Sequence, residues 1–532
     1  MMKKILFALV LSCFFFSVQS QITYQITYGD TTHYDVRAVI PNVNGGYASL
    51  GSIFSPADSS NIILNLTDSV GSTTLSIVYS TPKNDYGFDL KQTPDSGFII
   101  CGSTFGSSLH STLDDILLIK TDALGFVEWA YEYGGAGNDE AYSVSLTKDH
   151  GYFLAGHTNS NGTLNNKGFA MKVDSNGVPA WYRAASFYGN SRFSDGSICA
   201  DSGFVVCGNT IYPGSSYDLM VVKYSKTGNL LWSHRFGMTG TQMANAITGT
   251  SDGGSIIAGI HSSDNSTNAT DLLLVKLSSS GSIDWSNVYN YMYEDHASDI
   301  VQLSNGDYVI TGYSNGTDTI APVRLVSFLR INSSGNYVNA ALYGDFTADN
   351  LSYCISETRD HGFIMGGVSA GFGNANGAAY VLKTDSLGAQ ETCQQNIITF
   401  GSSPFILTDS IGCDTTSTIP LYTINTYSPA LSSISFSLIC LSMRVDELNH
   451  ESAFTIFPNP VQHELTIDLL NPAREFSTLI IRDVYGRTIA GKEIHPNQKS
   501  IHLNTEDLKT GIYFLEYENN ETHFTQKFIK TE

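Results

Sequence analysis

The chain has 532 residues and carries 28 Lys and Arg against 50 Asp and Glu, a formal charge of −22 and a pI of about 4.8. That balance argues against a nucleic-acid partner and against adhesion to anionic lipid by charge alone. No stretch beyond the first twenty residues has eighteen uninterrupted apolar positions, so no membrane span is expected.

Residues 1–20, "MMKKILFALVLSCFFFSVQS", place two lysines before an apolar run and small residues before Gln21, which reads as a secretory signal peptide. Its removal takes away Lys3 and Lys4 and moves the formal charge from −22 to −24. Cys13 leaves with it, so seven of the eight cysteines remain.

From residue 21 the text returns at a fixed period, the mark of an array whose units cannot bury a core singly. "DSNGVPAW" at 174 is matched by "DALGFVEW", "SKTGNLLW" and "SSSGSIDW", and the glycine of each copy falls at Gly71, Gly125, Gly177, Gly228, Gly281, Gly335 and Gly388. Four residues further on stand Trp129, Trp181, Trp232 and Trp285, the only four tryptophans of the chain. Leu75, Asn339 and Thr392 take that place in the other copies. Five residues before the glycine comes Lys120, Lys172, Lys223, Lys276, Arg330 or Lys383, with Leu66 as the exception.

A second signature precedes each marker, as in "DSGFIICG" at 95, "DHGYFLAG" at 149 and "NGGYASLG" at 44. Asx and Gly between apolar runs make a tight hairpin turn, since both tolerate positive φ. Segments such as "AYSVSLT" and "GFAMKVD" are short and rich in β-branched and aromatic residues, giving four strands per unit. Seven such units over residues 21–393 predict an all-β, seven-bladed propeller. The opening "QITYQITYG" matches the outer-strand text "EWAYEYGG" and is expected to pair with the last unit and close the ring.

The D-S-N-G turn is expected to be structural, the Asp accepting turn amides and the Trp packing against neighbouring units. It resembles the turn of quinoprotein-type propellers and, more loosely, the Asp-box of sialidases. Both likenesses stop at the hairpin, and neither implies an activity.

Spacing separates two faces. From the basic residue to the Trp position is nine residues in every copy that has the basic residue, so one face consists of invariant turns. The distance from the second-strand glycine to the basic residue runs from 15 to 18, so loops of variable length share the opposite face. Variable loops on a rigid scaffold are where binding residues sit. Phe105, Tyr212, Tyr217 and Phe372 are the candidate ligand contacts, flat faces for sugar rings. Asp139, Glu140, Glu294, Asp295 and Asp349 are the acids placed near a channel mouth, where capping turn amides is the plainer role. His157, His261 and His296 lie beside the variable loops. Neither a D-x-D-x-D run nor a CxxC or metal-spaced His pair is present, so no metal or cofactor is expected. "GTSDG" is a broken G-x-S-x-G without a strand-to-helix context, and no catalytic constellation can be assembled.

Cys101 and Cys207 occupy a small-residue core position. Residues 394–445 read as further strands or a linker, and among Cys393, Cys413 and Cys440 one disulfide can close in an exported chain, the pairing left open.

Residues 446–532 change character. "FTIFPNPVQHELTIDL", "LIIRDVYGRTIAGKEI" and "LNTEDLKTGIYFLEYE" are alternating strands between turn signals, enough for a small β-sandwich. Pro458, Asn459 and Pro460 of "FPNP", Gly486, Gly511 and Tyr513 of "TGIYF", and Lys527 of the closing "KFIK" resemble the type A C-terminal sorting domain of the type IX secretion system of Bacteroidota. The resemblance implies export through the secretion machinery, removal of the domain by a sortase-like peptidase near residues 444–452, and attachment at the cell surface. The expectation is a secreted surface protein that binds a glycan or a protein. A polysaccharide-active hydrolase or lyase, and a structural surface or biofilm component, are the alternatives.

Overall fold

The computed structural model describes residues 21–29, 33–54, 60–81, 84–106, 112–160, 165–187, 189–211, 216–263, 270–315, 323–373, 376–390, 393, 395–416, 421–425, 428–432, 436–444, 454–459, 461–469, 477–483, 488–518 and 523–531. The expected signal peptide, Tyr212, Pro460, Gly486 and residues 445–453 lie outside them. Two compact units divide the chain, one of Gln19–Arg444 and one containing Val445–Glu532.

The first unit consists of seven antiparallel sheets, one per repeat, each with four main strands. Sheet one uses Ala38–Pro41, Tyr47–Phe54, Ser60–Thr67 and Thr73–Ser80; sheet two uses Asp85–Gln92, Phe98–Phe105, Asp114–Thr121 and Val127–Gly134. Sheet three uses Asp139–Leu146, Tyr152–Thr158, Lys167–Val173 and Pro179–Ser186; sheet four uses Ser191–Ile198, Phe204–Ile211, Tyr217–Tyr224 and Leu230–Gly237. Sheet five uses Thr241–Gly249, Ser255–Ser262, Asp271–Leu277 and Ile283–Asn290; sheet six uses Asp295–Gln302, Tyr308–Asn315, Arg324–Ile331 and Tyr337–Tyr343. Sheet seven takes three strands from its own repeat, Asn350–Glu357, Phe363–Ser369 and Ala378–Thr384, and its fourth from the N-terminus, Gln21–Tyr28. Tyr24 faces Lys383 in that register, so the opening segment pairs where its text predicts.

Second and third strands are buried along nearly their whole length rather than alternating, because both faces of every sheet are covered. Ile100 and Leu117 of sheet two pack with Leu50 and Leu64 of sheet one, while Ile99 and Leu118 pack with Leu154 and Met171 of sheet three. A cluster of the same kind joins sheets seven and one, where Tyr24, Ile26 and Val381 meet Val36, Val39 and Ile63. Cys101 and Cys207 are fully buried in such layers.

The two repeat signatures meet in space. In the first hairpin of sheet two, the Asp95 carboxylate accepts the Gly97 amide at 3.0 Å and the Lys120 ammonium at 2.9 Å. The same pairing recurs as Asp149–Lys172, Asp201–Lys223, Asp252–Lys276, Asp307–Arg330 and Asp360–Lys383, at 2.7 to 2.9 Å. Sheet one, where Leu66 stands for the lysine, has Asn44, Gly45 and Gly46 in the turn, so acid and base are lost together. The positive φ falls on the middle residue, Ser96 at 69° and His150 at 64°, and not on the following glycine. Gly97 is required for a different reason: a Cβ there would stand 2.1 Å from the Thr121 carbonyl oxygen.

The marker glycines do take positive φ, Gly125 and Gly177 at 83° and 81°, Gly228 and Gly281 at 77° and 88°. A Cβ on Gly177 would also lie 2.6 Å from the ring of Tyr131 in the preceding sheet. Tyrosines late in the fourth strands use that close approach. Tyr79, Tyr133 and Tyr289 donate their hydroxyls to the carbonyls of Gly125, Gly177 and Gly335 in the next sheet, at 2.6 to 2.7 Å, and Tyr343 does so to Gly388. Tyr28 of sheet seven donates to Gly71 of sheet one at 2.6 Å. Trp181, only 6% exposed, packs among Phe153, Phe204 and Tyr224 and donates to the Lys226 carbonyl at 3.3 Å. Trp232 makes the matching bond to Ser279 at 3.2 Å, while Trp129 and Trp285 are half-buried in equivalent layers.

Residues 395–444 add a fifth strand to every sheet. Gln395–Ile398 pairs on sheet six, Gly401–Pro404 on five, Thr408–Ile411 on four, Asp414–Thr416 on three, Leu421–Asn425 on two, Ser428–Ser432 on one and Phe436–Arg444 on seven. This belt therefore visits all seven sheets once, from six down to one and then to seven. Cys393 before it and Cys440 in its last strand form the disulfide, closing a loop of sequence separation 47. Cys413 is a free thiol.

Candidate functional site

First strands line the cavity of the sheet assembly. In six sheets a bulge opens midway along the first strand, at Phe88, Tyr142, Ser194, Asn245, Ser298 and Tyr353. A bulge leaves its residue out of the ladder and re-aims its side chain. All six, together with Arg37 just before the first strand of sheet one, line a cavity of about 750 Å³ bounded by the first strands of all seven sheets. Seven equivalent backbone positions thus present seven environments.

The residue after the bulge forms the floor. It is Asp89, Asp195 and Asp299 in sheets two, four and six. Each carboxylate accepts the next amide of its own strand, from Leu90, Gly196 or Ile300 at 2.6 to 2.7 Å. Each also accepts an amide of the following sheet, from Val144, Ile247 or Ile355 at 2.8 to 2.9 Å. These aspartates clip neighbouring sheets together. Lys91 offsets part of this charge, its ammonium 2.6 Å from Asp89. Burial pushes Asp195 up to about 7 and Asp299 up to about 6, their amide bonds offsetting part of the cost.

The mouth lies at the edge where first strands begin, the edge shared with the variable loops. An aromatic strip crosses it from sheet one to sheet three. His33 packs on Phe54 at 4.9 Å, Phe54 on Tyr86 and Tyr86 on Phe88 at 6.4 Å each, and Phe88 on Tyr142 at 5.2 Å. Tyr142 stacks on His157 at 5.7 Å, with Oη 3.0 Å from Nδ1. Burial, with Arg192 adding, pulls His157 down to about 4, so the imidazole is neutral at ordinary pH. A second cavity of about 300 Å³ lies along this strip and shares Arg37 and Phe88 with the first.

Across the mouth, Arg37 lies over the Tyr353 ring at 4.3 Å and is held by Asp35 at 2.7 Å. Arg324 lies over Tyr313 at 5.4 Å and is held by Glu294 at 3.1 Å. His296 stacks on Tyr313 at 4.7 Å and is pulled down to about 4, chiefly by burial. The side chain of Arg192, exposed at the cavity wall, makes no hydrogen bond or ion pair with a described residue.

The loop candidates fall outside these cavities. Phe105 ends the second strand of sheet two and Tyr217 begins the third strand of sheet four, 37% and 40% exposed. Phe372, at φ 54°, is half-buried against Tyr380 at 5.7 Å. Three different sheets carry them, on the mouth edge. Among the acids, Asp139 accepts the Gly135 amide and Asp295 the Tyr291 amide, so both cap turns. Glu140, Glu294 and Asp349 remain at the mouth, the last two beside Arg324. His261 sits apart, against Gln242 and Phe405. No group of three His, Cys, Asp or Glu among the described residues is placed to hold a metal ion.

In the second unit, Phe454–Phe457, Glu464–Leu469 and Ser500–Asn504 form one sheet. Ser477–Asp483, Thr488–Ile494, Gly511–Glu518 and His523–Lys530 form another, over a core of Leu465, Ile467, Ile481, Leu515 and Phe528. The two ends of the motif meet here. Asn459 donates to the Lys527 carbonyl at 3.2 Å and accepts the Ile529 amide at 2.9 Å, while Tyr513 stacks on Phe528 at 5.6 Å and donates to the Lys509 carbonyl. Pro458 and Lys527 are exposed, and Gly511 opens the Tyr513 strand. Residues 455–531 match the family model of the secretion system C-terminal sorting domain. The protein is exported by the type IX secretion system through this domain, to the cell surface or the extracellular space. No curated protein matches the chain.

Proposed function

We propose that the seven sheets close into a seven-bladed propeller and that the protein is a cell-surface binding module whose ligand lies across the propeller mouth. Closure is supported by the Tyr28 bond to Gly71, which repeats between sheets seven and one the bond made at four other joints. A belt that passes from sheet one directly to sheet seven points the same way.

The binding reading rests on one observation: the side chains re-aimed by the bulges differ from sheet to sheet, whereas the turns at the opposite edge repeat. Phe88, Tyr142 and Tyr353 offer flat faces of the kind that stack on sugar rings or peptide side chains. Phe105, Tyr217 and Phe372 extend the same edge outward. The proposed layout is the propeller over residues 21–393, the belt over 394–445 and a removable sorting domain over 446–532.

A polysaccharide-active enzyme is the second reading, favoured by the Tyr142–His157 contact beside Glu140, where a neutral imidazole can take a proton through a phenol. The test is retention on immobilised polysaccharides with product analysis. Binding of intact polymer that falls at least tenfold in Phe88→Ala supports the module. Shortened or unsaturated products that vanish in His157→Gln support the enzyme instead.

A further inference from the structure

Charge at the mouth runs against that of the chain. A molecule of formal charge −22 places Arg37, Lys91 and Arg192 on the wall of one cavity. The first two are already occupied: Asp35 and the Tyr353 ring hold Arg37, and Asp89 holds Lys91. Arg324 at the rim is likewise held by Glu294.

Arg192 is different. It stands two residues before the bulge of sheet four, where the facing position on the partner strand is Asn209, and its guanidinium has no acceptor among the described residues. It lines the same cavity as Tyr142 and Phe88 of the aromatic strip, and its charge is felt by Glu140, Tyr142 and His157. Glu140 does not quench it. Burial raises that carboxyl, the Asp114 charge raises it further, and no ion pair with Arg192 forms. A guanidinium offers parallel N–H donors matched to a carboxylate, and an unmet one beside a stacking platform is a vacant half of such a pair.

We propose that the mouth recognises a carboxylate-bearing saccharide, a uronate residue whose carboxylate pairs with Arg192 while its ring stacks on Tyr142 and Phe88. This deepens the binding reading and depends on it. The floor does not repel such a ligand, because Asp89, Asp195 and Asp299 are turned into amide bonds and neutralised in part by Lys91. The strip back through Tyr86 and Phe54 gives following sugars a track along the second cavity.

The test uses the full secreted chain with polygalacturonate and with the same polymer fully methyl-esterified, which keeps the rings and removes the charge. Affinity for polygalacturonate at least tenfold above that for the ester, falling to the ester's level in Arg192→Ala and recovering in part in Arg192→Lys, is the expected result. Equal binding of the two polymers, or binding indifferent to Arg192→Ala, overturns the carboxylate pairing. If Phe88→Ala still abolishes binding in that case, the mouth remains the site and only its ligand class is wrong. Failure to bind either polymer, or alginate and hyaluronan as second probes, overturns the uronate assignment as well. Retention of neutral dextran or a protein ligand by the mouth would then leave the binding reading standing.

Discussion

The two ends of the first hairpin in each sheet are built from one fold by opposite rules. At the turn end, six sheets repeat one arrangement, a turn carboxylate paired with the cation of the third strand; in sheet six the acid moves to the third turn position, Asp307, and Asn305 takes the turn amide. At the mouth end no residue type fills more than two of the seven bulge-level positions, which are held by Arg, Phe, Tyr, Ser, Asn, Ser and Tyr. Repetition marks what every unit needs in order to fold, and variation marks what the assembly does once folded. The most sensitive place to break the first rule is Lys383, whose side chain is fully buried against Asp360. Lys383→Ala leaves a carboxylate at 14% exposure without its cation, and the loss is expected to be about 3–5 kcal/mol. Sheet one supplies the remedy, since Leu66 there coexists with an uncharged turn. Asp360→Asn with Lys383→Leu is expected to recover most of the loss in a denaturation midpoint, and to leave binding at the mouth unchanged. Equal loss in single and double variants would show that the pair does not act as a unit.

Acidity sharpens the contrast, because the carboxylates of the two ends respond to pH with opposite sign. Asp149, held by the Lys172 hydrogen bond and then by Thr147, is lowered to about 2, and Asp252 likewise despite its burial. The native state binds fewer protons there than the unfolded chain, so this stabilisation is lost as pH falls from about 4 to about 2. On the cavity floor, Asp195 and Asp299 are raised to about 7 and about 6, so the native state binds more protons and their contribution declines as pH rises from about 4 to about 7. His157 and His296, both pulled down to about 4 by burial, act the other way in that window. Asp295, raised to about 6 by burial, adds to the aspartate side and His261, lowered by burial, to the histidine side, so the two sets largely cancel and the melting temperature is expected to vary little from pH 4 to pH 7. Asp195→Asn should tip it to rise with pH and His296→Gln to fall. A slope unchanged by either variant would place these groups in water.

The repeat made much of this legible. Seven marker glycines, four tryptophans and the "DSG" turns announced the sheets, and the opening strand announced its partner, because each rests on local geometry that a short motif encodes. The lysine was visible at a fixed offset, yet its acceptor was not: spacing does not say that Asp95 and Lys120 become neighbours across a hairpin. The belt was hidden for a plainer reason. Its strands are three to nine residues long, their text does not recur, and what they satisfy is the outer edge of sheets written elsewhere. Variable spacing made Phe105, Tyr212, Tyr217 and Phe372 legible as loop-edge aromatics, whereas the side chains that line the cavity come from strand interiors. A signal existed in the residue after "DYG" in sheet two and "DEA" in sheet three, where the period changes and Phe88 or Tyr142 follows. A bulge leaves such a break in alternation. In the second unit "PNP" and "KFIK" were legible as a family motif, though not the reason they travel together, which is that Asn459 binds the backbone at Lys527 and Ile529.

The finest comparison is between joints. Tyr133 and Tyr28 make the same hydroxyl bond to a marker-glycine carbonyl, one between sheets two and three, the other between sheets seven and one. Removing a buried donor and leaving its acceptor unmet costs about 1–3 kcal/mol. Tyr133→Phe is expected to cost that amount in any arrangement of the sheets, because the joint it serves is internal to the chain order. Tyr28→Phe should match it only where sheet seven closes on sheet one in solution, since in an open array the hydroxyl faces water and its loss is close to neutral. Equal shifts in the two denaturation midpoints support closure, and a silent Tyr28→Phe beside a destabilised Tyr133→Phe would open the ring.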